Sequence, residues 1–289
     1  MGTKTISMSE SSLKLTQLQH KGYCILENVA HDALLERTRA CVEQAIATQD
    51  SEKLAGVCSP GTLIAAEHHP GLAGLIGNPI ALEALDEMGL PGSVFWKAVI
   101  ISKPPGGPRL YWHQDCLMWQ DPRSYSVIPP MIFLMYYLED TTRENGCLRV
   151  LPGTHRRRHI LHGMGEAHTA DINSMENPED PRFLDYPNEQ DVPMRAGDLV
   201  IGDARMLHAT HANQSGQRRT VITIWYHPVF DGLLPSTQNW IDEQFHRRHR
   251  DWPEAALAEI EPVIPRYAGD AAPMKPDRSP DERLSASGP

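Results

Sequence analysis

His113-Gln114-Asp115 sets an imidazole and a carboxylate two residues apart. In an extended chain residues i and i+2 face the same side, so the two donors converge while Gln114 turns away. Two histidines and one carboxylate on one face of an octahedron make an open iron(II) site, with the opposite face left for a co-substrate and O2. The second histidine has to come from a distant part of the chain. The stretch from Gly197-Asp198 to His208 reads as a turn entering a strand that ends in histidine, and it is the candidate for that ligand. A lone His-x-Asp occurs often by chance, and the residues just after His208 give this one weight.

Arg218 and Thr220 come shortly after His208, at the head of a β-branched and aromatic run, 219 to 227, that reads as a strand. A five-carbon dicarboxylate chelating iron through its keto acid end leaves its far carboxylate buried, and a buried charge must be paired. The planar fork of an arginine does this with two charge-assisted hydrogen bonds. Thr220, two residues on, shares the face of Arg218 and adds a hydroxyl donor.

These groups need a frame that brings remote stretches together. From Val94 onward, short β-branched and aromatic runs at 94–102, 109–115, 131–138, 147–151, 198–202 and 219–227 are split by proline and glycine. No regular helical segment separates them, which weighs against a parallel sheet and favours a mainly β jelly roll. Helices precede it. Apolar positions from Leu34 to Ile46 recur at helical spacing after a possible cap at Asp32, and a second helix is punctuated by Asn78, Pro79 and Gly89.

The reading is of a single domain over 1–289, with a working core of about 13–267. Residues 1–11 and 269–289 are polar or proline-rich and are expected to be mobile. The polar segment 163–192 lacks periodicity, as a substrate lid or a solvated excursion would. Most of the fourteen histidines need no function; His68, His69, His246 and His249 are expected at the surface.

A net charge of −10 argues against nucleic acid or an anionic membrane as partner. No apolar stretch is long enough for a membrane span or follows a basic start. Five scattered cysteines, without a zinc-ribbon spacing, suit a reduced, cytoplasmic setting. Oligomeric state stays open.

With those residues in view, the chain resembles the phytanoyl-CoA dioxygenase family of iron(II)/2-oxoglutarate oxygenases. The likeness runs through Gly22-Tyr23-Cys24-Ile25-Leu26, Lys103-Pro104-Pro105-Gly106-Gly107, Trp112-His113-Gln114-Asp115, Asn145-Gly146-Cys147-Leu148, Pro152-Gly153-Thr154-His155 and His208-Ala209-Thr210-His211. The resemblance implies a cupin-like double-stranded β-helix, with flanking helices, and metal ligands at His113, Asp115 and His208. It implies a co-substrate site at Arg218 and Thr210, around which Thr220, Gln114 and Met135 are also placed. His211 competes with His208, and Arg219 with Arg218, because the family more often has Gly-Ser after the distal histidine and a spacing to the arginine about one residue longer.

The chemistry so implied consumes 2-oxoglutarate and O2, releases succinate and CO2, and by default hydroxylates a C–H bond of a small molecule, such as a secondary metabolite or acyl derivative. Trp119, Tyr137 and Lys97 are assigned to the substrate. The acidic balance and aromatic candidates point to a hydrophobic or weakly basic one. Two other readings of the fold, a divalent-metal hydrolase or isomerase and a non-catalytic binding protein, stay open on the residues alone.

Overall fold

The computed structural model describes residues 8–50 and 58–285. Ten strands are named here: β1 (Tyr23–Leu26), β2 (Thr62–Ala65), β3 (Val94–Lys103), β4 (Leu110–His113), β5 (Ile132–Tyr137), β6 (Leu148–Val150), β7 (Gln190–Val192), β8 (Leu199–Asp203), β9 (His208–Thr210) and β10 (Arg219–His227). They form two antiparallel sheets. The larger has the order β1-β8-β5-β10-β3-β2 and the smaller β4-β9-β6-β7. The non-sequential order means that segments remote in the chain become neighbours, as the jelly roll requires.

Alternation along the large sheet decides what each face does. Ala98 and Ile100 of β3, Leu134 and Tyr136 of β5, and Ile222 and Ile224 of β10 turn to one side and are buried with Leu18, Val42 and Leu85. Those last three belong to α1 (Met8–Lys21), α2 (Asp32–Ala47) and α3 (Pro79–Glu87). Each buried leucine, isoleucine or valine of this layer contributes about 1.5–3 kcal/mol. The alternate residues, Val99, Ile101, Met135, Val221 and Trp225, face the small sheet.

The Asn78 side chain caps α3 by accepting from the N–H of Ile80 at 3.1 Å, and Pro79 fills the first turn, as the punctuation predicts. Asp32, expected as a cap, is instead the first residue of α2, with His31 in the cap position. The turn into β8 needs its glycine: Gly197 has φ +89°, and a Cβ there would lie 2.5 Å from the carbonyl oxygen of Ala30.

The chain ends differ from the sequence expectation. Residues 8–11 open α1 rather than extend as a tail; residues 1–7 and 286–289 lie outside the described residues. The C-terminal segment folds back on the barrel. The Asp277 N–H donates to the Leu117 carbonyl at 2.7 Å, the Met274 N–H to that of Ser236 at 2.9 Å, and Leu284 is buried. A few apolar anchors and backbone hydrogen bonds thus order a stretch whose composition alone reads as tail.

Helix α5 (Pro235–His249) also carries His249 inward, where it stacks on Phe245 at 4.6 Å rather than facing solvent. Residues 163–192 pack on the small sheet through Ile172 and Phe183 against Tyr111, and the Leu184 carbonyl accepts from Trp112 Nε1–H at 2.8 Å. Among the described residues no helix is long and apolar enough to cross a membrane.

Candidate metal and co-substrate site

β4 and β9 pair so that His113 lies directly opposite His208, with ring centroids 4.2 Å apart. Asp115 follows β4. Its N–H and that of Cys116 donate to the Ala204 carbonyl, in the turn that leads into β9, at 2.7 and 2.9 Å. That turn is itself pinned by a buried ion pair, Arg205 Nη2 to Asp203 Oδ2 at 2.6 Å, whose guanidinium also donates to the carbonyls of Ser124 and Ser126. One turn therefore positions Asp115 and His208 together.

Two residues before each histidine, a backbone carbonyl holds its ring: His113 Nδ1 on Tyr111 O and His208 Nδ1 on Met206 O, both at 3.0 Å. A carbonyl can only accept, so Nδ1 carries the proton in each ring and Nε2 presents a lone pair. Those Nε2 atoms lie 3.6 and 3.7 Å from the two oxygens of Asp115. Trp225 Nε1–H donates to Asp115 Oδ2 at 2.9 Å. Burial raises the Asp115 pKa, but the imidazoles of His208, His113 and His168 and the indole hydrogen bond outweigh it and hold the carboxyl at about 2. Burial keeps His113 neutral, its pKa well below the usual imidazole range. Two imidazoles that each present Nε2 to an oxygen of one carboxylate suit a divalent transition metal.

The donors open on a cavity of about 310 Å3, the size of small-molecule sites. Arg219 closes one end. It is 2 % exposed, and its Nε and Nη2 have no hydrogen-bond partner, so a buried guanidinium faces the cavity with donors unspent. An anion is what such a group lacks. Thr210, Met135 and Tyr137 line the wall around it. Lys103, across the ladder from Arg219, donates to Thr210 Oγ1 at 2.8 Å and to two carbonyls. Tyr137 thus sits beside Arg219, where burial raises its phenol and the guanidinium opposes that rise.

Four expected contacts fall elsewhere. Arg218 is not on the cavity wall; its Nη1 reaches Ser102 Oγ at 3.4 Å. Thr220 turns with it to the helix-covered side, its hydroxyl 3.0 Å from that of Ser102 and its N–H donating to Glu139. The two do share a face, but strand alternation puts Arg219, Val221, Thr223 and Trp225 on the inner one. Gln114 turns away from the cavity and donates from Nε2 to the Arg278 carbonyl at 2.7 Å. Trp119 is buried in the inter-sheet core against Tyr125, centroids 5.4 Å apart, off the cavity wall. Lys97 does line the cavity. His211, the rival of His208, points to Asp191 at 2.6 Å.

His168, Asn173 and Arg278 also reach the cavity, and sequence reasoning passed over them. His168 and Asn173 come from the excursion over 163–192, Asn173 as the last residue of α4 (Ala170–Asn173). Tyr111 donates its hydroxyl proton to Asn173 Oδ1 and lies 2.8 Å from His168 Nδ1. His168 Nδ1 must then be the donor in that contact, which leaves its Nε2 bare. A nitrogen of His168 and the donor atoms of His113 and Asp115 lie within 4.8 Å of one another. No periodicity signals any of these three. Trp225 could have been found from Arg219, since both belong to one alternating face.

Several known proteins are similar. Dioxygenase lolE1 of Epichloe uncinata is 28% identical over 199 residues, 69% of this chain and 70% of that protein. A methylphosphonate hydroxylase of Gimesia maris is 28% identical over 233 residues, 76% of this chain and 82% of the relative. The structure of the epimerase SnoN in complex with Fe3+, alpha ketoglutarate and nogalamycin RO superposes over 95% of this chain and 99% of that one, with TM-score 0.57 at 17% identity, which speaks to the fold. A model of the phytanoyl-CoA dioxygenase family matches residues 18–221, and the chain belongs to that family of non-haem iron, 2-oxoglutarate-dependent oxygenases.

Proposed function

We infer that His113, Asp115 and His208 hold the iron(II), that Arg219, with Thr210 and Tyr137 beside it, receives the far carboxylate of 2-oxoglutarate, and that a small organic molecule is oxidised at a C–H bond in the remaining space. The observation that carries this is the pairing of two features in one cavity: three converging metal donors, and a buried arginine whose Nε and Nη2 lack partners. A metal hydrolase would have no use for the second. Bound iron(II) with 2-oxoglutarate and O2 supplies oxidative decarboxylation to succinate and CO2 and oxygen transfer to the substrate, with hydroxylation as the default outcome.

The protein's own share is geometric. The backbone carbonyls of Tyr111 and Met206 fix the ligand tautomers, the Trp225 indole steers the Asp115 carboxylate, and apolar walls limit water near the reactive centre. Residues 163–192 would act as the cover of that chamber. The five unpaired cysteines suit a reducing, cytoplasmic compartment. The relatives' names include a methylphosphonate hydroxylase and one neighbour holds nogalamycin RO, so the family leaves the substrate to the cavity.

The test is anaerobic calorimetry of iron(II) and 2-oxoglutarate, followed by succinate release on admitting O2. Wild type should bind both and release succinate only with iron. Asp115→Ala should lose metal binding by about 100-fold or more and abolish turnover. Unchanged metal affinity in Asp115→Ala would overturn the assignment of the site.

A further inference from the structure

The cavity is cationic at two ends, and a 2-oxoglutarate carboxylate accounts for only one. Away from Arg219, Lys97 rises from β3 with its ammonium 4.7 Å from the ring centre of Trp96 and 4.8 Å from that of Trp225. Among the described residues no carboxylate lies within ion-pairing distance of it. Arg278, carried in by the C-terminal segment, lines the same wall. Its Nε is 3.8 Å from Glu166, and its Nη1 is buried without a partner. His168 stands with them.

These groups feel one another. Burial first, then Arg248 and Arg278 lower the Lys97 pKa, against the pull of Asp115, to about 8. Burial, Arg278 and Lys97 likewise push His168 down, to about 4. Asp115 is the nearby acid, and a metal held by it would offset its charge. Lys97 would then face the cavity with no ion-pair partner, and Arg278 with Glu166 on its Nε alone and a buried Nη1 unspent. The net charge of the whole chain suggested a hydrophobic or basic substrate, but the sign of a binding site is set by the groups lining it, within a few ångströms.

We propose that Lys97 and Arg278 bind an anionic group of the substrate, a carboxylate, phosphate or phosphonate, attached to a short apolar body that lies along Leu63, Val99 and Leu110. The inference rests on the oxygenase reading of the site for where the metal sits. A basic substrate would meet like charge here, and a neutral one would leave Lys97 unpaired and Arg278 Nη1 without a partner. Two adjoining indole rings beside the ammonium keep it in place without consuming its hydrogen-bond donors.

The experiment uses full-length protein with Ni(II), which is catalytically silent, and saturating 2-oxoglutarate, titrated calorimetrically with hexanoate, hexylphosphonate, hexanamide and hexylamine. Both or either of the acids should bind about tenfold or more tightly than the amide. Their ranking tells carboxylate from phosphonate. In Lys97→Met and Arg278→Gln that preference should fall below about threefold, while Lys97→Arg should retain it. Amide or amine binding as tightly as the acids overturns the proposal. So does failure of both acids to bind at millimolar concentration, a preference untouched by both Lys97→Met and Arg278→Gln, or displacement of the acids by 2-oxoglutarate, which would place them at Arg219. If 2-oxoglutarate itself does not bind, the oxygenase reading of the site falls, and the same titration without it still reads acid against amide.

Discussion

The two ends of the cavity are built in different ways. The Arg219 end is made of strands: Arg219 on β10 pairs with Lys103 on β3, Met135 and Tyr137 come from β5, and Thr210 ends β9. The other end joins Lys97 of β3 to His168 and Asn173 of an irregular excursion and Arg278 of a C-terminal strap. Hydrogen-bonded register holds the first in place, whereas at the second it holds Lys97 alone, and side-chain packing and isolated hydrogen bonds hold the rest. Under the proposed assignment, such a barrel keeps its co-substrate arginine on fixed strands while the far end is free to vary with the substrate.

If that division is right, the largest effect lies at the strand-built end. Arg219→Leu should raise the 2-oxoglutarate Kd by about 100-fold, whereas Arg218→Leu should change it less than about twofold. Calorimetry with metal present checks both, and equal losses would dissolve the distinction between the two faces of β10. A smaller change is expected from Trp225→Phe, which removes the N–H donor to Asp115 while keeping most of the ring. Metal affinity should drop about tenfold, read by competition with a chelating dye.

The smallest effect sharpens the other end. Lys97 is buried with its pKa lowered from 10.5 to about 8, so its charge at neutral pH opposes folding. Linkage sets the direction. The penalty is full below pH 8, shrinks as pH climbs between the folded and unfolded values, and is gone above the latter. Lys97→Met should thus raise Tm by roughly 3 °C at about pH 7, with the gain fading towards about pH 10 in thermal melts. A Tm that falls, or a gain independent of pH, would mean that Lys97 serves the fold rather than the ligand.

Much of the strand-built end was legible beforehand. The runs at 94–102, 131–138 and 219–227 correspond to β3, β5 and β10 within a residue or so at each end, because β-branched residues between glycines and prolines leave few other conformations open. His113 and Asp115 could be paired from spacing alone. The choice between Arg218 and Arg219 could not, since a one-residue shift reverses every side chain of a strand. The C-terminal strap and residues 163–192 gave no periodic signal at all, and α5 was passed over.

The order of residues by itself determined that two donors converge at 113 and 115, that a histidine and an arginine come far downstream, and that short strands dominate after residue 94. The tertiary structure decided the rest. Pairing of β10 with β3 and β5 turned Arg219 inward, and the pinned turn at Asp203–Arg205 brought Asp115 beside His208. Packing of non-repetitive chain carried His168 and Arg278 to the cavity. The physical reason is one of range: backbone geometry speaks for a residue and its near neighbours, while the direction a side chain faces depends on partners that only folding supplies.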